Sequence, residues 1–149
     1  MKIPGNVNSV LAAKGHAIWS VPPEAKVLSA ISLMAEKNVG ALLVMEGSRL
    51  IGIVSERDYT RKVMLKGRAS RDTDVREIMA SPAITVTPEE TVEECLRTMT
   101  EHRVRHLPVV ESERVVGLIS IGDLVNWVIS AQRATIDHLE GYLSGKYPG

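Results

Sequence analysis

Val115-Val116-Gly117-Leu118-Ile119-Ser120-Ile121-Gly122-Asp123-Leu124 reads as a short apolar strand, a sharp stop at Ser120 and the opening of a helix at Asp123. Leu50-Ile51-Gly52-Ile53-Val54-Ser55-Glu56-Arg57-Asp58-Tyr59 repeats that construction 65 positions earlier, Ser55 standing for Ser120 and Asp58 for Asp123. A hydroxyl and a carboxylate three residues apart, at a strand-to-helix turn, therefore occur twice. Extending the alignment outward from the two turns sets 21–64 on 86–129 without a gap. The identities include Pro23/Pro88, Val27/Val92, Met34/Met99, Val39/Val104, Leu42/Leu107, Val44/Val109, Arg49/Arg114 and Gly52/Gly117.

Each repeat reads β-α-β-β-α. In the first, His16 to Val21 is a short extended piece stopped by Pro22-Pro23. Glu24 to Lys37 follows, with Val27, Ala30, Ile31, Met34 and Ala35 at the spacing of a helix with one buried face. Val39 to Met45 is a continuous apolar run, as in a strand covered on both faces, and Glu46-Gly47-Ser48-Arg49 is a hairpin turn. Leu50 to Val54 returns, and Asp58 to Leu65 is helical. In the second repeat, Ala83 to Val86 is a strand. A helix is expected from Thr87-Pro88-Glu89-Glu90, with Thr87 and Glu90 as a capping box and Pro88 at the first helical position. Val104 to Val110 and Arg114 to Ile119 are strands, and Asp123 opens a longer helix carrying Ile136, Leu139, Tyr142 and Leu143 on one stripe. Before the first repeat, Asn6 caps a short helix that Gly15 ends. Between the repeats, the polar 66–74 reads as an exposed linker, followed by a short helix capped at 72–74 and running through Val75, Ile78 and Met79.

The expected fold class is therefore α/β (α+β): two β-α-β-β-α repeats packed with pseudo-twofold symmetry, a short N-terminal helix and a longer C-terminal helix. The segments are 1–15, repeat 1 over 16–66, a linker and short helix over 67–82, repeat 2 over 83–130, and a C-terminal helix and tail over 131–149.

With no Phe and 3% aromatics, the core of this 149-residue chain rests on Val, Ile, Leu, Ala and Met. Eighteen basic residues balance eighteen acidic ones, which argues against bulk-charge attachment to nucleic acid or an anionic membrane. Cys95 is the single cysteine, so an intramolecular disulfide and a Cys metal cluster are both excluded. No signal segment and no 18-residue apolar run are found, and the expected location is cytoplasmic. Phosphate-loop and dinucleotide Gly motifs are absent, and His16, His102, His106 and His138 lack the spacing of a zinc protease. No nucleophile–base pair points to catalysis. Cys95 falls on a buried helix stripe, as packing.

Two ungapped repeats ending in apolar-Gly-apolar-apolar-Ser-x-x-Asp resemble a tandem pair of cystathionine β-synthase (CBS) domains, the Bateman module. The stretches VGALLVMEGSRLIGIVSERDYTRKV (39–63) and VRHLPVVESERVVGLISIGDLV (104–125) carry the likeness, with the connecting VREIMASPAITVTPEETV (75–92); it spans about 16–130. The resemblance implies a non-catalytic regulatory module with no catalytic cofactor. Its ligand would be adenosine-containing: AMP, ADP, ATP or NAD, with S-adenosylmethionine further down the order. It also implies a homodimer and an unidentified regulated protein. The alternative is a constitutive dimerisation or interaction module with vestigial pockets.

Within that resemblance, Asp58 and Asp123 hold ribose hydroxyls; each also fits a carboxylate at a helix start, meeting orphan N–H groups. Ser55 and Ser120 either donate to a phosphate or ribose oxygen or cap the turn. Gly52 and Gly117 are expected to be structural, allowing close backbone approach. Arg105 and His106, beside Arg103, are expected to bring phosphate-binding charge to the Ser120/Asp123 cleft. The first repeat has Gly40 and Ala41 there, leaving Arg57 and Lys62 as its nearest cations. The resemblance further sets Ala17, Trp19 and Ser20 against Ser120 and Asp123, and Ala83, Ile84 and Thr85 against Ser55 and Asp58, reading the adenine edge. Val39 and Val104 are apolar ring contacts or core. On this reading the ribose is sought at Asp123 first.

Overall fold

A computed structural model describes residues 3–143, the side chains of Tyr142 and Leu143 excepted. The expected tail beyond 143 and those two members of the C-terminal stripe lie outside the described residues. In chain order the elements are α1 (Val7–Lys14), β1 (Ser20–Val21), α2 (Val27–Lys37), β2 (Ala41–Glu46), β3 (Arg49–Ser55), α3 (Glu56–Tyr59), α4 (Val92–His102), β4 (His106–Glu111), β5 (Arg114–Ser120) and α5 (Ile121–Leu143). A π-helical turn, Thr60–Met64, extends α3, and a 3-10 turn, Val75–Glu77, lies between the repeats.

The two hairpins are superposable in register. Ala41 pairs Ser55 and Val44 pairs Gly52 in one; His106 pairs Ser120 and Val109 pairs Gly117 in the other. Both carry an irregularity at the same place, Val44/Met45 and Val109/Val110. β1 joins β2 in parallel, but the strand expected over Ala83–Val86 contracts to one parallel bridge, Val86 to Val109. Both middle helices end on a left-handed residue, Asn38 and Arg103, each at φ 55°. Gly47 at φ 63° supplies the left-handed position expected in the first hairpin turn.

Both middle helices start later than the apolar period implies, for one reason. The residues before each start form a turn that ends on an extended residue, Lys26 or Thr91, and are bonded to another segment. Val27 N–H donates to Thr73 O, Val75 N–H to Ala25 O and Arg76 N–H to Pro23 O. In the second repeat Val92 N–H donates to Gly5 O, Val7 N–H to Glu90 O and Asn8 N–H to Pro88 O. The bonds map one onto the other, with Gly5 standing for Thr73 and Val7 for Val75. So Thr87, Pro88 and Glu90 precede the helix. Thr87 N–H still reaches Glu90 Oε2 at 2.7 Å, but the capping box that opens α4 is Thr91 with Glu94.

Residues 5–11 are thus to repeat 2 what 73–79 are to repeat 1. Val7, Val10 and Leu11 enter the core of the second repeat with Val92, Cys95, Met99, Leu107, Val109, Ile119 and Leu124. Val75 and Ile78 enter the core of the first with Val27, Ala30, Met34, Leu42, Val44, Val54 and Val63. The linker is correspondingly less exposed than its polarity implies, since Thr73 is 2% exposed and its hydroxyl donates to Ala69 O. The glycines of the repeated turn lie beneath these segments. A Cβ on Gly52 would stand 2.6 Å from Ala80 O, and one on Gly117 would stand 2.7 Å from Leu11 Cδ2. Their close-approach role is met on both sides.

Two substitutions test this construction by urea denaturation. Leu11→Ala removes buried methyl groups and is expected to lower stability by about 2–5 kcal/mol. Gly52→Ala must displace backbone and is expected to cost about 1–3 kcal/mol. A neutral Leu11→Ala would show that α1 stands apart from the core.

Candidate functional site

The Ser-x-x-Asp turns are capping boxes in both repeats. Ser55 is the N-cap of α3, and Asp58 N–H donates to Ser55 Oγ at 3.2 Å. Asp58 Oδ2 accepts from Ser55 N–H at 2.9 Å and from Ser55 Oγ at 3.0 Å. Likewise Asp123 Oδ2 accepts from Ser120 N–H at 2.8 Å, while Asp123 N–H donates to Ser120 Oγ at 3.1 Å. Each pair satisfies orphan N–H groups at a helix start. The same bonds hold the carboxylate in place at the strand end.

The surroundings of the two turns differ. Next to Ser55 and Asp58 lies a cleft of about 430 Å³. Repeat 1 contributes Gly40, Ile53, Glu56, Arg57, Arg61 and Lys62; repeat 2 contributes Arg103, Val104, Arg105 and His106; Ala80, Pro82 and Ile84 form the side made by the connecting chain. Five permanent cations thus face two carboxylates, Glu56 and Asp58. Lys62 Nζ stands 3.3 Å from Asp58 Oδ1 and also donates to Ile78 O at 2.9 Å. Arg57 donates across the repeats to Arg103 O at 3.5 Å. Gly40 keeps the cleft open, for a Cβ there would come within 3.2 Å of Glu56 Oε1 and 3.5 Å of His106 Nε2. Its counterpart in repeat 2 is Arg105.

The hollow beside Asp123 is about 190 Å³, bordered by Val10, Ala13, Lys14, Asn126, Trp127 and Ser130. Lys14 Nζ donates to Asp123 Oδ2 at 2.6 Å and to Leu118 O at 2.8 Å. Burial opposes ionisation of Asp123, but the bonds from Lys14 and Ser120 outweigh it and hold its carboxyl below the usual range.

This corrects the grouping expected from sequence. Arg105 and His106, expected beside Ser120 and Asp123, line the cleft of Ser55 and Asp58, and Lys14 bonds the Asp123 carboxylate. Of the connecting-strand residues, Ile84 borders the Asp58 cleft, whereas Ala83 and Thr85 are not among its walls. Trp19 lies under Lys37, whose Nζ is 4.4 Å from the ring centroid. Trp19, Ala17 and Ser20 do not border the hollow at Asp123. Val104 meets the cleft, while Val39 packs on the core of repeat 1. Sequence reading passed over Arg61 and the contact of Lys14 with Asp123. Arg61 was discoverable as the residue one helical turn past Asp58, and Lys14 from the match of 5–11 to 73–79.

His106 sits between the two turns. Burial pushes its imidazole below its ordinary value; Asp123 opposes this, and Lys14 and Arg105 add to it. Above the ordinary value, about 6.5, both folded and unfolded chains hold it neutral. As pH falls below that value the unfolded chain binds the proton first, so stability drops. Urea midpoints between pH 7.5 and 5.5 are expected to fall less for His106→Gln than for the unsubstituted chain. Burial pushes the Cys95 thiol up to about 12, with Glu90 and Glu94 adding to it. The thiol is expected to resist a disulfide reagent at pH 8 until urea unfolds the chain; rapid labelling of the native chain would contradict its place in the core.

Among the described residues no helix is long and apolar enough to cross a membrane. The CBS-domain family profile matches residues 16–65 and 75–130. The Arabidopsis thaliana "CBS domain-containing protein CBSX3, mitochondrial" is 39% identical over 141 residues, covering 91% of this chain and 68% of that one. A solved CBS-domain protein from Burkholderia ambifaria is 50% identical, with a TM-score of 0.83, over 86% of this chain and 96% of its own. A CBS-domain protein from Pyrobaculum aerophilum, solved in complex with AMP, is 26% identical with a TM-score of 0.71, over 80% of this chain and 89% of its own. The gapless repeat, the matched hairpins and these likenesses agree: the chain belongs to the CBS-domain family and carries two CBS domains in tandem.

Proposed function

We propose that this chain is a regulatory module that binds an adenosine-containing nucleotide, AMP, ADP, ATP or NAD, in the cleft at Ser55 and Asp58. S-adenosylmethionine ranks lower, because its sulfonium and amino groups add positive charge where cations already dominate. The observation that carries the reading is one cleft, about 430 Å³, in which a fixed carboxylate from repeat 1 faces Arg103 and Arg105 from repeat 2. A carboxylate accepts from two vicinal hydroxyls, and guanidinium forks suit phosphate oxygens. In this reading Asp58 takes the ribose and Arg57, Arg61, Arg103 and Arg105 take phosphate. Ile84 and Val104 meet the base. His106, neutral when the cleft is empty, gains a proton beside a bound phosphate. The AMP complex of the Pyrobaculum protein supports the ligand class. Because both repeats supply walls, a bound nucleotide shifts their packing, and a partner protein reads that shift. We assign no catalytic step.

Arg103 carries a second argument. It holds φ 55°, a conformation that suits Asn, the residue at the matching position 38, better than Arg. Strain kept at a cleft wall is a mark of use.

A second reading, an interaction module, draws on α5, where Ile121, Val125, Ile129, Ile136 and Leu139 are 41–56% exposed. That face suits a second copy of the chain, and the two readings are compatible.

Calorimetric titration of ligand-free protein tests the cleft assignment. Asp58→Ala is expected to weaken nucleotide affinity about tenfold or more, the loss of a hydrogen bond to a charged group, with Asp123→Ala changing it less than about twofold. The opposite order, or no heat with any of the four nucleotides at millimolar concentration, would refute the cleft assignment. Arg103→Asn is expected to raise stability by up to about 1 kcal/mol while weakening binding. A gain in stability with unchanged affinity would remove Arg103 from the site.

A further inference from the structure

We infer that Lys14 is a built-in occupant of the second cleft, so that one chain takes one nucleotide and Asp123 is withheld from ligand by the protein's own ammonium group. The inference extends the reading of the Asp58 cleft.

The comparison of the two repeats is an internal control. Segments 5–11 and 73–79 make matching backbone bonds to their repeats, the first as an α-helix and the second as a 3-10 turn, and Leu11 and Met79 each lie on the turn glycine of their repeat. Beyond that point they part. After Met79 the chain leaves extended: Ala80 N–H and C=O exchange hydrogen bonds with Ile53, and the next residues turn outward to become a side of the open cleft. After Leu11 the helix continues to Lys14. Its Nζ bonds Leu118 O, the carbonyl matching Ile53 O, and reaches Asp123 Oδ2. The longer helix thus puts a cation within 2.6 Å of Asp123, whereas in the first repeat Lys62 stays 3.3 Å from Asp58 and the larger cleft lies open beside it.

The occupant is held firmly. Val7, Val10 and Leu11 are at most 2% exposed. Trp127 lies on Gly5, where a Cβ would stand 2.6 Å from Trp127 Cζ2, and its indole N–H donates to Pro4 O at 2.7 Å. Lys14 itself is exposed, and it is held by its two hydrogen bonds and by the docking of α1, so α1 does not need to leave for the site to change. Removing the four-carbon stem of Lys14 leaves α1 docked by its other side while freeing the carboxylate and enlarging the hollow beside it.

The test is the stoichiometry of AMP on the ligand-free full chain, by calorimetry. The unsubstituted chain is expected to bind one AMP and Lys14→Ala two, the second weaker. Lys14→Arg, which keeps a cation, stays at one, and Lys14→Ala/Asp123→Asn returns to one. Two equivalents on the unsubstituted chain, or one on both chains, would overturn the inference. A site that appears only in Lys14→Ala would support it while refuting the Asp58 assignment. Should neither chain bind AMP, the Asp58 reading fails, and carbon-detected NMR titration of the Asp123 carboxyl decides the inference. An upward move in Lys14→Ala supports occupancy by Lys14, and an unmoved carboxyl overturns it.

Discussion

The structure depends on a pair of backbone clasps. Val27 N–H to Thr73 O in one repeat, and Val92 N–H to Gly5 O in the other, pin a preceding or connecting segment against the start of the middle helix. Without that segment each sheet would expose one apolar face and each middle helix would lose the partner of its first turn. The clasp also explains why Lys26 is extended although α2 follows immediately, and why Thr91 rather than Thr87 opens α4. Peptide groups committed to a neighbouring segment are unavailable to a helix.

From two equal clasps, two unequal clefts arise. The hairpins, the capping boxes and the turn glycines are the same in both repeats, so the difference lies in the side chains and chain path around them. Gly40 against Arg105 leaves space in one repeat and supplies charge in the other. Because the two walls of a cleft come from different repeats, the space and the charge meet in the same place. Near-symmetry of backbone combined with asymmetry of side chain concentrates cations at Asp58 and leaves Asp123 with an internal partner.

Much of this was legible in the residues. Period-2 and period-3.6 patterns placed the hairpins and helices, since buried apolar side chains report their own geometry. The Ser-x-x-Asp pairs marked the strand-to-helix turns, and their capping role was one of the two readings open for them. Less visible was what depends on long-range backbone pairing. The helix starts, displaced by three residues from Glu24 and by five from Thr87, follow from hydrogen bonds to 73–76 and 5–8, which leave no periodic signature. Arg105 and His106 were expected at Asp123 because sequence neighbours were grouped by repeat, whereas the cleft they line takes its walls from both repeats. Lys14 escaped notice because α1 matches 73–79 at a different spacing from the main repeat: Gly5 to Thr73 is 68 positions, Ser55 to Ser120 is 65.

The placement of α1 also has a temporal side. Repeat 1 closes on the segment that follows it directly, 73–79, so its core is complete soon after those residues leave the ribosome. Repeat 2 closes on residues synthesised before any of its own. Val7, Val10 and Leu11 therefore emerge before the rest of their core and wait until a loop of some eighty residues has been made. Contacts so distant in sequence are slow to form, and an apolar segment kept waiting through synthesis is exposed to other chains. The residues that complete the second domain are synthesised before it, and the two halves of a nearly symmetric molecule are assembled by opposite schedules.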